Sequence, residues 1–155
     1  MRPFLESVIS QGESVPGTSG LCCELATDPA HLRSVRRKVR NWAADAGMSQ
    51  DRIEDLVLAV DQAASSSIEF SRARPGPIWI DGHVALGQLR VVVTDWGQRG
   101  APAAPNDLGL RIVDALTDHM HVEDSDGATA ITMVWDLARI RLSSSRRPAS
   151  LSGRR

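Results

Sequence analysis

The sequence predicts an α+β fold, a two-layer sandwich with helices on one face of a mixed, mainly antiparallel sheet. Three observations predict it. Apolar residues alternate with period two in several short runs, and recur at helical spacing in three longer ones. These runs follow one another as strand, helix, helix, strand, strand, loop, helix, strand, strand, an order that places a layer of helices on a sheet. A chain of 155 residues, 42% hydrophobic and 24% charged, suffices for one ordinary domain core and not for two. The expected organisation is a flexible segment over 1–18, a domain over 19–137 and a basic disordered tail over 138–155.

Residues 1–18 are polar and rich in Gly, Ser and Pro; Phe4, Leu5, Val8 and Ile9 form one short apolar stretch that could become a brief helix on docking. In "GLCCELAT", Leu21, Cys23 and Leu25 share one face of a strand. "DPAHLRSVRRKVRNWAADAG" reads as an amphipathic helix with Asp28 as N-cap and Pro29 at the first helical position. Leu32, Val35, Val39, Trp42, Ala43 and Ala46 form its apolar stripe, and Gly47 stops it. Ser49 caps the next helix, whose buried stripe is Ile53, Leu56, Val57, Val60, Ala64 and Ile68; Pro75, Gly76 and Pro77 lie beyond its end.

Ile78 and Ile80 then alternate, a turn falls near Gly87, and "LRVVVTD" is a nearly continuous β-branched run, the more central of two antiparallel strands. "QRGAPAAPND" has no periodicity and is long enough to suspect a lid. Leu110, Ile112, Val113 and Leu116 make a third helix, and "HMHVEDSDGATAITMVWDL" a closing hairpin turning at Asp126-Gly127. From Ala138 onward the chain is rich in arginine and serine and has no acidic residue. Such a tail aids solubility or makes weak electrostatic contact with nucleic acid or an acidic partner.

The totals exclude some classes. A formal net charge of −1 gives no bulk reason to expect nucleic acid or an anionic membrane as the main partner. Adjacent Cys22 and Cys23 point to opposite faces of a strand and cannot easily bridge, which suits a reducing compartment. No leader-like start and no run of about 18 apolar residues is found, so a soluble, cytoplasmic protein is expected.

One stretch breaks the pattern of a core helix. After Val57, Leu58, Ala59 and Val60, the residues Gln62, Ser65, Ser66 and Ser67 bring polar, poorly helix-forming groups into the next turn and a half. Small residues that allow close packing, with hydroxyls bonded back to carbonyls one turn earlier, are one explanation. The neighbouring motifs supply another. "LAVDQAASSSIEF", "VVVTDWGQRG", "DLGLRIVDALTD" and "GATAITMVW", in this order and spacing, resemble the ATP-binding boxes of the anti-sigma factor serine kinases, the RsbW and SpoIIAB type of the Bergerat-fold (GHKL) ATPases. The resemblance covers roughly residues 20–137, and its specificity lies in the ordered set rather than in any one motif.

The resemblance implies a nucleotide site. Asp95 matches the Asp that accepts a hydrogen bond from the adenine amino group, and Gly97 and Gly100 match the glycines that let backbone approach base and ribose. Trp96 either covers the base edge or is a surface aromatic. Gly109 and Leu110 match the glycine-bearing helix start that cradles phosphates, whereas Asp107 stands at a glycine position, where it would repel a triphosphate or simply cap the helix. Thr129 matches a late Thr that bonds near the adenine.

In the second helix, family members commonly read "LAVDEACTNAIEH". The Glu activates the attacking hydroxyl, and the Asn, on the same face one turn later, ligates Mg²⁺. Gln62 and Ser66 occupy those two positions here, and Phe70 stands where His is frequent. Glutamine has no basic carboxylate, so the general-base contribution of about 10²–10⁴-fold is expected to be missing. Asp61, about 100° round the helix, is no substitute. Ser66 offers Mg²⁺ only a short neutral hydroxyl. ATP and Mg²⁺ are therefore expected to bind weakly or not at all, and no residue is assigned as a metal ligand.

The function implied is an anti-sigma-factor-like regulator that sequesters a sigma factor or binds a STAS-domain anti-anti-sigma partner, with impaired kinase activity; the alternative is an active ATP-dependent serine-protein kinase. The family also implies a homodimer. Arg33, Arg36, Arg37, Lys38 and Arg40 crowd the polar face of the first helix, as a contact surface for an acidic partner or as an ordinary solvated face.

Overall fold

Alternation of burial along each strand positions the sheet. The computed structural model describes residues 20–25, 29–70, 76–96, 108–125 and 127–137. The segment 1–18, Asp28, the loop over 98–107 with Asp107, the pair Gly97 and Gly100, and the tail 138–155 lie outside the described residues. In β1 (Leu21–Leu25), Leu21, Cys23 and Leu25 are buried while Cys22 and Glu24 are exposed, as period two requires. β2 (Ile78–Ala85) and β3 (Gln88–Asp95) form a hairpin through Leu86 and Gly87, both at positive φ. β4 (His119–Ser125) and β5 (Ala128–Asp136) form the closing hairpin, with Gly127 at φ 79°.

The strand order is β1-β2-β3-β5-β4, with β3 in the middle, and every described pairing is antiparallel. The parallel component of the expected mixed sheet is therefore not seen among the described residues. The reason is topological. β3 and β4 run in the same direction, as a connection through a helix demands, but β5 folds back between them and pairs with both.

The helices cover the face that carries Ile78, Ile80, Leu89, Val91, Val93, Ile131, Met133 and Trp135, all essentially without solvent contact. Pro29 begins a single 3₁₀ turn (Pro29–His31), and α1 proper is Leu32–Asp45. His31 occupies its N-cap position and makes no side-chain cap bond. The fixed φ of proline suits a tight opening turn, which delays the α-helix by one turn from the expected start. Leu32, Val35, Val39, Trp42 and Ala43 are buried, and Gly47 at φ 81° ends the helix. α2 (Gln50–Phe70) buries Ile53, Leu56, Val57, Val60 and Ala64, with Ile68 partly buried against them. α3 (Leu108–Leu116) packs beside α2, and α1 lies over β1. Each fully buried Leu, Ile or Val contributes about 1.5–3 kcal/mol, so this shared face is the main stabilising element.

Candidate functional site

One end of the sandwich is locked by polar contacts. Arg52, in the first turn of α2, pairs with Asp118 at 2.6 Å, and the same carboxylate oxygen accepts the backbone N–H of Asp136 at 2.8 Å. Asp118 N–H donates to Val134 O at 3.0 Å, Gln88 Nε2 to Asp136 Oδ1 at 2.9 Å, and Leu137 N–H to Gly87 O at 2.8 Å. The N-terminus of α2, the end of α3, the start of β3 and the end of β5 therefore meet there.

Element lengths then place the other end. From Arg52 to Ser66 along α2 is about 21 Å at 1.5 Å per residue. From Asp136 back to Thr129 along β5 is about 23 Å at 3.3 Å per residue. α3 enters the locked end with its C-terminus, so it runs against α2, and its start at Leu108 lies about 13 Å back toward the same far end. Gln62, Ser66, Asp95, Gly109, Leu110 and Thr129 are brought to one end of the molecule. Gly97 and Gly100 fall outside the described residues.

The floor of this end is one row of the sheet. Cα partners run Leu25, Ile78, Asp95, Thr129, Asp124 across all five strands. Asp95 has no solvent contact and Thr129 is buried. Thr129 Oγ1 donates to Asp124 Oδ1 at 2.5 Å, which spends its proton while leaving its lone pairs to accept. Trp96 N–H donates to Pro77 O at 3.2 Å and closes the ladder; its side chain is exposed. A carboxylate at the bottom of a strand end, beside a hydroxyl whose orientation is set, is a hydrogen-bond acceptor suited to an exocyclic amino group.

The wall is the last half of α2. Ser66 and Ser67 are buried and Gln62 is half-buried, one turn before Ser66 on the same face. Ser67 Oγ is fully enclosed and has no hydrogen-bond partner, so the back-bonding explanation fails for that serine. Asp61 is occupied elsewhere, its carboxylate 2.7 Å from Arg36 Nε on α1. This contact and that of Arg40 with Glu54, at 3.0 Å, also account for two of the five α1 cations. The donor set facing an incoming phosphate or metal from α2 is thus an amide and a hydroxyl, both neutral. The floor fits an adenine; the wall lacks the charge that would hold Mg²⁺ in its octahedral shell.

Sequence reasoning missed Asp124. The signal was available, since a two-residue turn at 126–127 makes Asp124 and Thr129 opposite partners by counting outward from it.

The model of the histidine kinase-like ATPase domain family matches residues 25–135. The serine-protein kinase RsbW of Bacillus licheniformis is 26% identical over 134 residues, covering 74% of this chain and 83% of its own length. The RsbW of Bacillus subtilis (strain 168) is 25% identical over 126 residues, 68% of this chain and 79% of that protein. A crystal structure of the RsbU and RsbW domains of a Mycobacterium tuberculosis protein matches with a TM-score of 0.63 at 25% identity. The match covers 76% of this chain and 32% of that one. The histidine kinase domain of a blue-light activated histidine kinase from Erythrobacter litoralis matches at a TM-score of 0.54 and 17% identity, over 92% of this chain and 75% of its own, a likeness of fold alone.

Proposed function

The chain belongs to the histidine kinase-like ATPase domain family, as a member of the RsbW type, and from that premise we propose that it is a partner-switching regulator whose catalytic end has been lost. In this reading it sequesters a sigma factor and releases it when a STAS-domain anti-anti-sigma protein competes. It acts stoichiometrically, through mass action rather than through phosphorylation. The observation that carries the reading is the pairing of a buried Asp95 with neutral Gln62 and Ser66. The adenine-side acceptor is present, while the positions that the family uses for base and metal ligand hold an amide and a hydroxyl.

The chemistry follows from those groups. ATP, when bound, supplies the phosphoryl group. Asp95 would accept from the adenine amino group, and Thr129, oriented by Asp124, would accept beside it. Gln62 can orient a serine hydroxyl but takes no proton from it, so the attacking oxygen keeps its proton as the bond to phosphorus forms. Asp61 offers no alternative base, because it sits in an ion pair with Arg36.

A second reading is favoured by the same buried Asp95. A chain that keeps an adenine acceptor can remain a serine-protein kinase, with Mg²⁺ held by the phosphates and water. The discriminating experiment incubates the protein with γ-labelled ATP, Mg²⁺ and a STAS-domain substrate, beside the double variant Gln62→Glu, Ser66→Asn. The expected result is label transfer by the native chain at least about 10²-fold below that of the double variant, the size of a general-base contribution. Equal transfer by both would establish the kinase and remove the regulator-only reading. Among the described residues no helix is long and apolar enough to cross a membrane.

A further inference from the structure

The two edges of the sheet are finished differently. β4 presents His119, His121, Glu123 and Asp124, and such polar and charged side chains keep a further strand away. β1 is Leu-Cys-Cys-Glu-Leu, has neither Lys nor Pro, and has no strand on its outer side among the described residues. Alternate residues of an antiparallel edge strand turn N–H and C=O outward, so β1 offers a row of backbone partners.

A cavity of about 300 Å³ opens beside this edge, lined by Cys23 and Glu24 of β1 and by His31, Ser34, Val35 and Lys38. Those last four recur at i, i+3, i+4 and i+7, so one face of α1 and its opening turn forms the opposite wall. The Lys38 ammonium comes near enough to Cys23 to oppose the rise in thiol pKa that burial causes. The cation therefore reaches the inner part of the cavity, whereas Glu24 belongs to the outward-facing, exposed side of β1. Arg36 and Arg40, by contrast, are committed to Asp61 and Glu54 on α2. Cys23, its thiol kept protonated by burial, serves as an apolar wall here rather than as a nucleophile.

The geometry points to a docking groove for an extended segment of a partner protein, which adds as a sixth strand along β1 and places an acidic side chain in the cavity against Lys38, with Ser34 and His31 as further donors. Strand addition supplies affinity through main-chain hydrogen bonds, and the adjacent pocket supplies specificity for one side chain. The groove lies two strands away from β3 and is independent of the nucleotide reading.

The test is an amide chemical-shift titration of the ¹⁵N-labelled full chain with three short synthetic peptides. The first is acetyl-Thr-Val-Thr-Glu-Val-Thr-Val-amide, the second has Lys in place of Glu, and the third is the first N-methylated at alternate residues. The proposal expects shifts concentrated in 21–25 and 31–38 with the Glu peptide, binding about tenfold weaker with the Lys peptide, and none with the N-methylated one. Lys38→Glu, an exposed change, should reverse the charge preference. Absence of binding at millimolar Glu peptide, which includes the case of a groove filled by the chain's own N-terminal segment, overturns the proposal. So do shifts confined to 31–38, which would mean a simple anion pocket, and equal binding of the N-methylated peptide. None of these outcomes bears on label transfer from ATP, so the two readings fail separately.

Discussion

Ser67 places an unpaired hydroxyl at 1% exposure inside the helix-to-sheet interface, next in sequence to the buried Ser66. A buried, unsatisfied polar atom costs about 1–3 kcal/mol. Ser67→Ala removes it with little change in volume, so the variant should be more stable by about 1 kcal/mol in urea unfolding. A loss of stability instead would mean that the hydroxyl is engaged in solution. At this scale the sequence was informative wherever spacing along a single helix decides. Gln62 and Ser66 share a face because they are one turn apart. It was silent where two elements must meet: the pairing of Asp61 with Arg36 depends on how α1 lies on α2, and nothing in either helix alone specifies it.

At the scale of elements, periodicity located each strand and helix within a residue or two, because burial on one face is what the pattern records. The role of Gly82 was not legible. It lies in the middle of β2, where glycine weakens a strand, and a Cβ built there would approach the Trp42 ring at 2.7 Å and Leu21 Cβ at 3.0 Å. The indole of α1 rests directly on bare strand backbone, and that close approach sets the seat of α1 on the sheet. Gly82→Ala should displace the ring and destabilise the fold by about 1–3 kcal/mol, read as a lower thermal midpoint together with a changed tryptophan emission. An unchanged midpoint and spectrum would mean that α1 can shift without cost. Strand order was equally hidden. The insertion of β5 between β3 and β4 is a long-range choice that local alternation does not encode.

The whole molecule divides into a locked end and a receptive end. Arg52, Asp118, Gln88 and Asp136 tie helices to sheet at one, with the Asp118 carboxylate serving both a guanidinium and a backbone N–H. Asp95, Thr129, Gln62 and Ser66 gather at the other. That convergence was legible from the ordered motifs, although half of the glycines that complete it fall in stretches without periodicity. The central claim is that the adenine side of this end persists while the metal side does not. A calorimetric titration with ATP, run with and without Mg²⁺, tests it most directly. The account predicts that Mg²⁺ changes the ATP affinity of the native chain by less than about threefold, and that of the Gln62→Glu, Ser66→Asn variant by about tenfold or more. A tenfold tightening by Mg²⁺ in the native chain would contradict it.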